Sequence, residues 1–250
     1  MTTLAEPVTT VSTDASPGPW IGLLNGFDLR IDGNPVALPL NAQRLLAFLA
    51  LHRRLLLRTH VAGNLWADTP DCKANASLRS AVWRIERLGH RLLEASRTHL
   101  QLSPSVGVDI AEAAHVARFL TGPVERTAEL PPNLHLAFSA GDLLPDWYDE
   151  ADWLLMERTR FHQLRLHALE HLCDLLIAHG RIVEAVDAGL AAITADPLRE
   201  SAHRAVISAY LAEGNTVEAI RQYDAFRRLL AEEMGTVPTQ HMENLMAGAW

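Results

Sequence analysis

A repeat of 34 residues is the feature that most narrows the folds open to the carboxyl-terminal half of this 250-residue chain. The segment AHGRIVEAVDAGL (178–190) returns as AEGNTVEAIRQYD (212–224), which places Gly180 and Gly214 at equivalent positions. This period is typical of tetratricopeptide repeats, in which two-helix units bury their apolar faces by stacking on their neighbours. The glycines are expected to end one helix, and the following Glu-Ala pair to open the next. The repeat therefore predicts a tetratricopeptide-like, all-helical domain over residues 149–250.

Charge is divided unevenly between the two halves of the chain, whose formal net charge is −8. Residues 20–110 carry 11 basic and 7 acidic side chains, whereas residues 111–250 carry 11 basic and 21 acidic ones. A basic segment joined to an acidic one is the compositional sign of a nucleic-acid-binding module attached to a second domain.

The basic half reads as a hairpin, three helices and a second hairpin. Asp32–Pro35 is predicted to form the first turn, and the apolar runs Leu92–Leu93 and Leu100–Leu102 the strands of the second hairpin. This order is that of a winged helix-turn-helix with an extra amino-terminal sheet over residues 20–110. TPDCKA (69–74) is expected to be a loop. The expected helix caps are Asn41, Thr59 and Asn75 here, and Asp196 before Pro197 in the acidic half.

The third predicted helix, within ASLRSAVWRIERLG (76–89), has two different faces. An apolar stripe at helical spacing faces the core and consists of Leu78, Val82, Ile85 and Leu88. The side chains off that stripe are Arg79, Ser80, Trp83, Arg84 and Arg87. An arginine-rich face of this kind suits the DNA major groove, because a guanidinium group can donate two hydrogen bonds to guanine or phosphate. The solvated face of an ordinary surface helix gives the same pattern.

Both halves also resemble the SARP-type regulators (Streptomyces antibiotic regulatory proteins). GFDLRIDGNPVALPLNAQRLLAFLALHRR, HVAGNLWAD and ANASLRSAVWRIERLG resemble the OmpR-like winged helix of that family. The acidic half resembles its bacterial transcriptional activator domain. The positions that carry this second likeness are Leu144-Pro145, Trp153, Glu157-Arg158, Asp196–Glu200, Tyr223 and Glu233–Gly235. The wing departs from the family pattern, with Arg97-Thr98-His99-Leu100 where a glycine and an aromatic residue are usual.

The resemblance implies a fold that is mainly α with a small β part, and a sequence-specific transcriptional activator. Such a protein binds direct repeats in double-stranded promoter DNA, pairs there with a second protomer, recruits RNA polymerase and serves a biosynthetic gene cluster. The DNA-contacting residues are expected to be those on the polar face of the third helix, joined by Arg58, Thr59 and Arg97: Arg79, Ser80, Trp83, Arg84, Arg87, Arg97, Arg58 and Thr59.

Other classes of protein find little support in the sequence. The motifs GxxxxGK[ST], GxGxxG and GxSxG do not occur, which favours a non-enzyme without cofactors. His167 and His171 are four positions apart but have no HExxH or cysteine pair beside them, so no metal site is expected. Cys72 and Cys173 read as free thiols of a cytoplasmic protein. No apolar run is long enough for a membrane span, residues 1–19 read as a disordered leader, and residues 111–148 as a connector.

A second interpretation stays open at the level of the sequence. The chain could be a helical-repeat adaptor that acts through protein contacts, with a degenerate winged helix used for packing. The retained arginines favour DNA binding, and the altered wing leaves room for the adaptor.

Overall fold

The computed structural model describes residues 18–122, 138, 141–147 and 152–247, so most of the expected leader 1–19 and much of the expected connector 111–148 lie outside it. The chain divides into two compact units, Met1–Asp109 (unit 1) and Ile110–Trp250 (unit 2). Within the described residues, unit 1 combines short strands with three helices, and the regular elements of unit 2 are all helices.

Unit 1 begins with a four-stranded sheet. Its strands are β1 (Trp20–Gly22), β2 (Asp28–Ile31), β3 (Asn34–Pro35) and β7 (Gly107–Val108). Their order is β3-β2-β1-β7, with β1 antiparallel to β2 and parallel to β7. The turn expected at Asp32–Pro35 is confirmed but is tighter, because Asn34 and Pro35 already pair with β2. Asp32 and Gly33 have φ of 51° and 79°, the left-handed conformation that two-residue hairpin turns require.

The three predicted helices of unit 1 are α1 (Leu40–His52), α2 (Arg58–Leu65) and α3 (Asp71–Glu86). Helices α2 and α3 pack directly on each other, and the chain between them is only Trp66–Pro70. The centre of α1 is buried: Leu45, Leu46 and Phe48 have no exposed surface. A helix-turn-helix mounted on a buried first helix is therefore present.

The predicted helix caps of unit 1 are wrong. Pro39, Leu57 and Pro70 occupy the N-cap positions, and none of the three helices has a side-chain cap hydrogen bond. Asn41 and Thr59 lie inside the first turns of α1 and α2.

Helix α3 starts earlier in the chain than predicted, because Asn75 and part of the expected TPDCKA loop are helical. Pro70 lacks an N–H and needs no hydrogen-bond acceptor there, while Asp71 carries negative charge at the positive end of the helix dipole. Asn75 instead donates its side-chain amide to the carbonyl of Asp71, one turn back in the same helix.

The second hairpin of unit 1 is confirmed and forms the wing. Strands β5 (Leu93–Ala95) and β6 (His99–Leu102) pair antiparallel, and β4 (Leu56–Leu57) adds to the other side of β6. The order β4-β6-β5 ties the wing to the chain that enters α2. The hairpin tip is Ser96–Thr98.

The described part of unit 2 contains the helices α4 (Asp109–Thr121, entered from the end of unit 1), α5 (Asp152–Ala178), α6 (Ile182–Ala195), α7 (Glu200–Glu213), α8 (Thr216–Met234) and α9 (Gln240–Ala247). Consecutive helices from α5 to α8 pack on one another. Helix α4 contributes Ala117 and Leu120 to the core that α5, α6 and α7 share.

The 34-residue repeat corresponds to the helix pairs α5/α6 and α7/α8. Gly180 and Gly214 have φ of 71° and 83° at the turns within the pairs. The repeated alanines Ala185 and Ala219 are both fully buried, as close helix packing requires. Between the pairs, α6 approaches α7 closely at Gly189, where an added Cβ would lie 2.5 Å from Cγ2 of Val206.

The expected start of α7 at Asp196 and Pro197 is wrong, because that helix begins at Glu200. Asp196 closes its own short turn, in which its Oδ1 accepts from the N–H of Leu198 at 3.3 Å and its carbonyl from Arg199 at 3.2 Å. Arg199 then donates to Glu170 on α5 at 2.5 Å. This stretch therefore fastens one helix pair to the next.

Several other positions that resemble the activator domain also hold unit 2 together. Arg158 donates to the carbonyls of Leu143 and Trp147 at 2.9 and 3.0 Å. Tyr223 donates its hydroxyl to Glu243 on α9 at 2.5 Å. Among the described residues, none of the helices combines the length and apolar character needed to cross a membrane.

Candidate nucleic-acid interface

Helix α3 has the two faces that its sequence predicts. Leu78, Val82 and Ile85 of the expected stripe are buried, while Leu88 is half-buried beyond the end of the helix. Ala74 and Ala81 complete the buried side. The helix is thus fixed to unit 1 along one side only.

The opposite side of α3 carries every residue that was expected there for DNA contact. All five are exposed: Arg79, Ser80, Trp83, Arg84 and Arg87. Trp83 leaves 53% of its surface in solvent, and the Arg87 guanidinium lies 4.8 Å from the centre of its ring. Arg87 is the C-cap residue of α3. Trp83 and Arg87 therefore place an aromatic ring and a cation together on the exposed face of α3.

The other residues that are expected to contact DNA lie with Arg79 in one groove, whose volume is about 400 Å³. The groove is formed by the start of α2, the side of α3 and the tip of the wing. The expected residues Arg58, Thr59, Arg79 and Arg97 all line it. Ser80, Trp83, Arg84 and Arg87 lie outside it, on the exposed face of α3. The groove thus joins residues that stand far apart in the sequence.

Strand pairing explains why Arg58 reaches the wing. Leu57 pairs with His99, so the next residue along the chain arrives beside the hairpin tip. The Arg58 backbone N–H donates to the carbonyl of Thr98 at 2.8 Å, and its guanidinium to the carbonyl of Ser96 at 3.2 Å. The tip is itself ordered by Ser96 Oγ, which accepts from the N–H groups of Thr98 and His99.

The groove is positively charged. Its lining contains three arginines and no aspartate or glutamate. In the described part of the chain, the guanidinium groups of Arg79 and Arg97 form no ion pair or hydrogen bond. The Arg58 N–H at the start of α2 is bonded to Thr98, but no side chain caps this helix, so the next N–H groups of its first turn, those of Thr59 and His60, are open to an anion.

Three polar residues that line the groove are not among the expected DNA contacts: Asn75, Ser96 and Thr98. Asn75 lies one turn before Arg79 on α3, and this spacing of four could have indicated a shared face. Ser96 and Thr98 flank Arg97 in the predicted wing. Their hydroxyl groups are the type that contacts phosphate oxygens.

The described cysteines and histidines are not arranged as a metal site. Cys72 and Cys173 are both free thiols, as expected. The described residues include no group of three or more His, Cys, Asp or Glu side chains arranged to hold a metal ion.

Comparison with known proteins supports the resemblance seen in the sequence. Residues 136–248 match the family described as bacterial transcriptional activator domain. The regulatory protein AfsR of Streptomyces coelicolor is 30% identical over 237 residues, which is 86% of this chain and 22% of AfsR. AfsR of Streptomyces griseus is 30% identical over 216 residues, or 78% of this chain and 21% of the relative. The chain is thus similar to the SARP-type regulators over most of its length.

A solved structure confirms the fold of this chain. Mycobacterium tuberculosis EmbR in complex with a low-affinity phosphopeptide matches with a TM-score of 0.68 over 92% of this chain and 64% of EmbR. The sequences are 21% identical, so this match concerns the fold alone. The mainly helical class, with a winged helix followed by a tetratricopeptide-like domain, is thereby confirmed. The chain spans about a fifth of the length of its AfsR relatives.

Proposed function

We propose that this chain is a SARP-type, sequence-specific DNA-binding activator of transcription. The exposed face of α3 enters the major groove, where Arg79, Arg84 and Arg87 meet base edges or phosphates. Arg58, Thr59 and Arg97 hold the phosphate backbone on either side. The family is one of transcriptional regulators and not a class of enzymes.

The observation that carries this proposal is the groove between α2, α3 and the wing. Three guanidinium groups converge there without a carboxylate in the lining, although the chain as a whole is acidic. Positive charge gathered without compensation lowers the stability of a fold through self-repulsion. A polyanionic partner removes that repulsion, and double-stranded DNA presents phosphates at a spacing that several arginines can meet together.

The exposed arginines also argue against the adaptor interpretation. A winged helix that had become a packing module would cover the outer face of α3 with other parts of its unit. Trp83, Arg84 and Arg87 are instead exposed. A role in protein contact is therefore assigned to unit 2.

We assign residues 20–110 to DNA binding and 149–250 to the activator function, and α4, from the expected connector 111–148, contributes to the core of the latter. The acidic half repels DNA, so it is free to contact RNA polymerase and a neighbouring protomer on the promoter. Half-sites repeated every 10–11 bp, about one turn of the duplex, would place two protomers on the same side of the DNA. The promoters themselves would belong to a biosynthetic gene cluster, which rests on the family resemblance.

The test begins by selecting bound sequences from a pool of random DNA duplexes with the full chain. A single sequence motif should emerge, and the selected duplex then serves for affinity measurements with Arg84→Ala and Arg87→Ala. An arginine that reads a guanine should cost about 1–3 kcal/mol and relax the preference at one base.

Arg91→Ala is the matched control for these variants. Arg91 is an exposed arginine of the same unit, lies outside the groove and pairs with Glu94 at 3.2 Å. We expect this variant to bind the selected duplex as the wild type does. Failure to select any motif, or unchanged binding by both the Arg84 and the Arg87 variant, would contradict the assignment of α3.

A further inference from the structure

A second cleft lies within unit 2, between the amino-terminal half of α5 and the segment that precedes this helix. Its volume is about 500 Å³, which falls within the range of about 300–1,000 Å³ that small-molecule sites in proteins occupy. The lining comes from two stretches of unit 2, 142–145 and 158–162. We call it the α5 cleft. It shares no residue with the groove at α3, whose lining belongs to unit 1.

The walls of the α5 cleft are apolar and consist of Leu143, Pro145 and Phe161. Leu143 and Phe161 leave only 1% and 6% of their surface in solvent, so the packing of unit 2 holds both side chains in place. Leu155, which is 63% exposed, lies four positions before Thr159 on the same face of α5 and extends the apolar surface. Walls of this kind suit the apolar body of a small molecule.

The unpaired charge of the cleft is positive and belongs to Arg158. This half-buried side chain donates from Nε to the carbonyl of Leu143 at 2.9 Å and from Nη2 to that of Trp147 at 3.0 Å. In the described part of the chain the guanidinium forms no ion pair and its Nη1 no hydrogen bond. Neutral carbonyl groups therefore hold Arg158 in position, and the N–H groups of Nη1 stay available to an anion.

Asp142 supplies a carboxylate to the lining but does not neutralise Arg158. Its Oδ1 accepts from Nη1 of Arg165 at 3.3 Å. Arg165 is a buried residue of α5 that leaves 8% of its surface in solvent, and its Nε has no hydrogen-bond partner in the part of the chain that the structure describes. A buried charge without a partner is strongly unfavourable, so Asp142 is held at Arg165.

We propose that the α5 cleft binds a small organic anion, a carboxylate that carries an apolar body. The carboxylate accepts hydrogen bonds from Nη1 of Arg158 and from the ring of His162, which also lines the cleft. The apolar body lies on Leu143, Pro145 and Phe161. The inference is independent of DNA binding, because every residue that it uses belongs to unit 2.

The apolar walls and the unpaired guanidinium together select this class of ligand. A cation would be repelled by Arg158, and a neutral apolar molecule would bury Nη1 without an acceptor, which costs free energy. An inorganic anion would satisfy Arg158 but leave the walls at Leu143 and Phe161 uncovered. Only a molecule with both an anionic group and an apolar body meets the two requirements.

The experiment compares two probes by isothermal titration calorimetry of the full chain without DNA. 4-Phenylbutyrate and 4-phenylbutylammonium have the same apolar body and head groups of opposite charge. We expect the carboxylate to bind about tenfold more tightly or better, since hydrogen bonds to charged groups contribute about 1.5–3 kcal/mol and each tenfold in affinity is about 1.4 kcal/mol. The chain carries a net charge of −8, so non-specific attraction would favour the ammonium probe instead.

Two variants place the binding at the cleft. Thr159→Asp adds a carboxylate at an exposed position of the lining and should reverse the preference between the probes. Arg158→Gln keeps an amide that can donate to the backbone carbonyls but removes the charge, and should abolish the preference. Circular dichroism shows whether Arg158→Gln still folds, and if it does not, the exposed Thr159 variant decides the test.

The matched control is His167→Asp, which adds a carboxylate to α5 at an exposed residue outside the cleft and should keep the wild-type preference. Three results would overturn the proposal. The wild type could bind neither probe or both equally, Thr159→Asp could keep the preference for 4-phenylbutyrate, or His167→Asp could change the preference as much as Thr159→Asp does.

Discussion

Substituting alanine for Gly189 tests the close packing between α6 and α7. The new Cβ would lie 2.5 Å from Cγ2 of Val206, and 3.4 Å from its backbone nitrogen. Carbon atoms in contact normally stay about 3.5–4.0 Å apart. Val206 has no exposed surface, and a β-branched side chain in a helix has one strongly preferred rotamer, so it cannot turn away.

The size of the effect follows from two opposing contributions. Overpacking of a core costs about 1–3 kcal/mol. Alanine in a helix is more favourable than glycine by about 1 kcal/mol. The net change for Gly189→Ala is therefore a loss of about 0–2 kcal/mol in the free energy of unfolding of unit 2.

Gly63→Ala isolates the packing contribution. Gly63 lies within α2, and an added Cβ would meet nothing within 4 Å. This variant should gain up to about 1 kcal/mol from helix propensity alone. The two variants should thus differ by about 1–3 kcal/mol, the cost of overpacking.

Scanning calorimetry of the full chain measures both changes, at about 2–4 °C in the melting temperature for each kcal/mol. If Gly189→Ala raises the melting temperature of unit 2 as much as Gly63→Ala raises that of unit 1, the close approach of α6 and α7 is refuted.

Three further predictions concern single side chains. Cys72 should react with a thiol reagent at once, and Cys173 only at the rate of unfolding, because burial raises the pKa of Cys173 to about 12; two fast thiols would contradict its burial. Glu170→Gln should lower the stability of unit 2 by about 1–3 kcal/mol in urea titration, since the charge-assisted bonds from Arg199 are weakened, whereas an unchanged midpoint would show that this contact does not stabilise. Burial lowers the pKa of His203, so as pH falls the unfolded chain takes up a proton at this residue before the folded chain does. The contribution of His203 to the free energy of unfolding should therefore be fully present above about pH 6.5 and be lost as pH is lowered through that value. The loss should be smaller in His203→Asn.

The spacing of apolar residues predicts which segments are helical, but it does not predict the residue at which each helix starts. The stripe from Leu78 to Ile85 fixes the period and the buried face of α3, and both are as expected. Asn75 looked like a cap because its side chain can accept backbone hydrogen bonds, but the same amide can donate within a helix. Pro70 decided the start instead. Asn75 and Pro70 each indicated a different start for α3, and the sequence alone did not show which of the two determines it.

The groove could be predicted only as separate parts. Arg79 was found from its position on a helix, and Arg58 and Arg97 from the expected helix start and wing. Their meeting depends on the register that pairs Leu57 with His99, which is a tertiary feature. The charge division between the halves was visible beforehand, but the three-dimensional clustering of the arginines was not.

The salt dependence of DNA binding tests the central claim most directly. Affinity for the selected duplex is measured from low to high salt for the wild type and for Arg79→Ala/Arg97→Ala. Each phosphate contact contributes about 0.9 to the slope of log affinity against log salt concentration, so the double variant should bind with a slope smaller by about two. Arg160→Ala/Arg221→Ala removes the same charge from exposed sites on unit 2 and should keep the wild-type slope. An unchanged slope for Arg79→Ala/Arg97→Ala, or an equal fall in both variants, would contradict a DNA-binding surface at this groove.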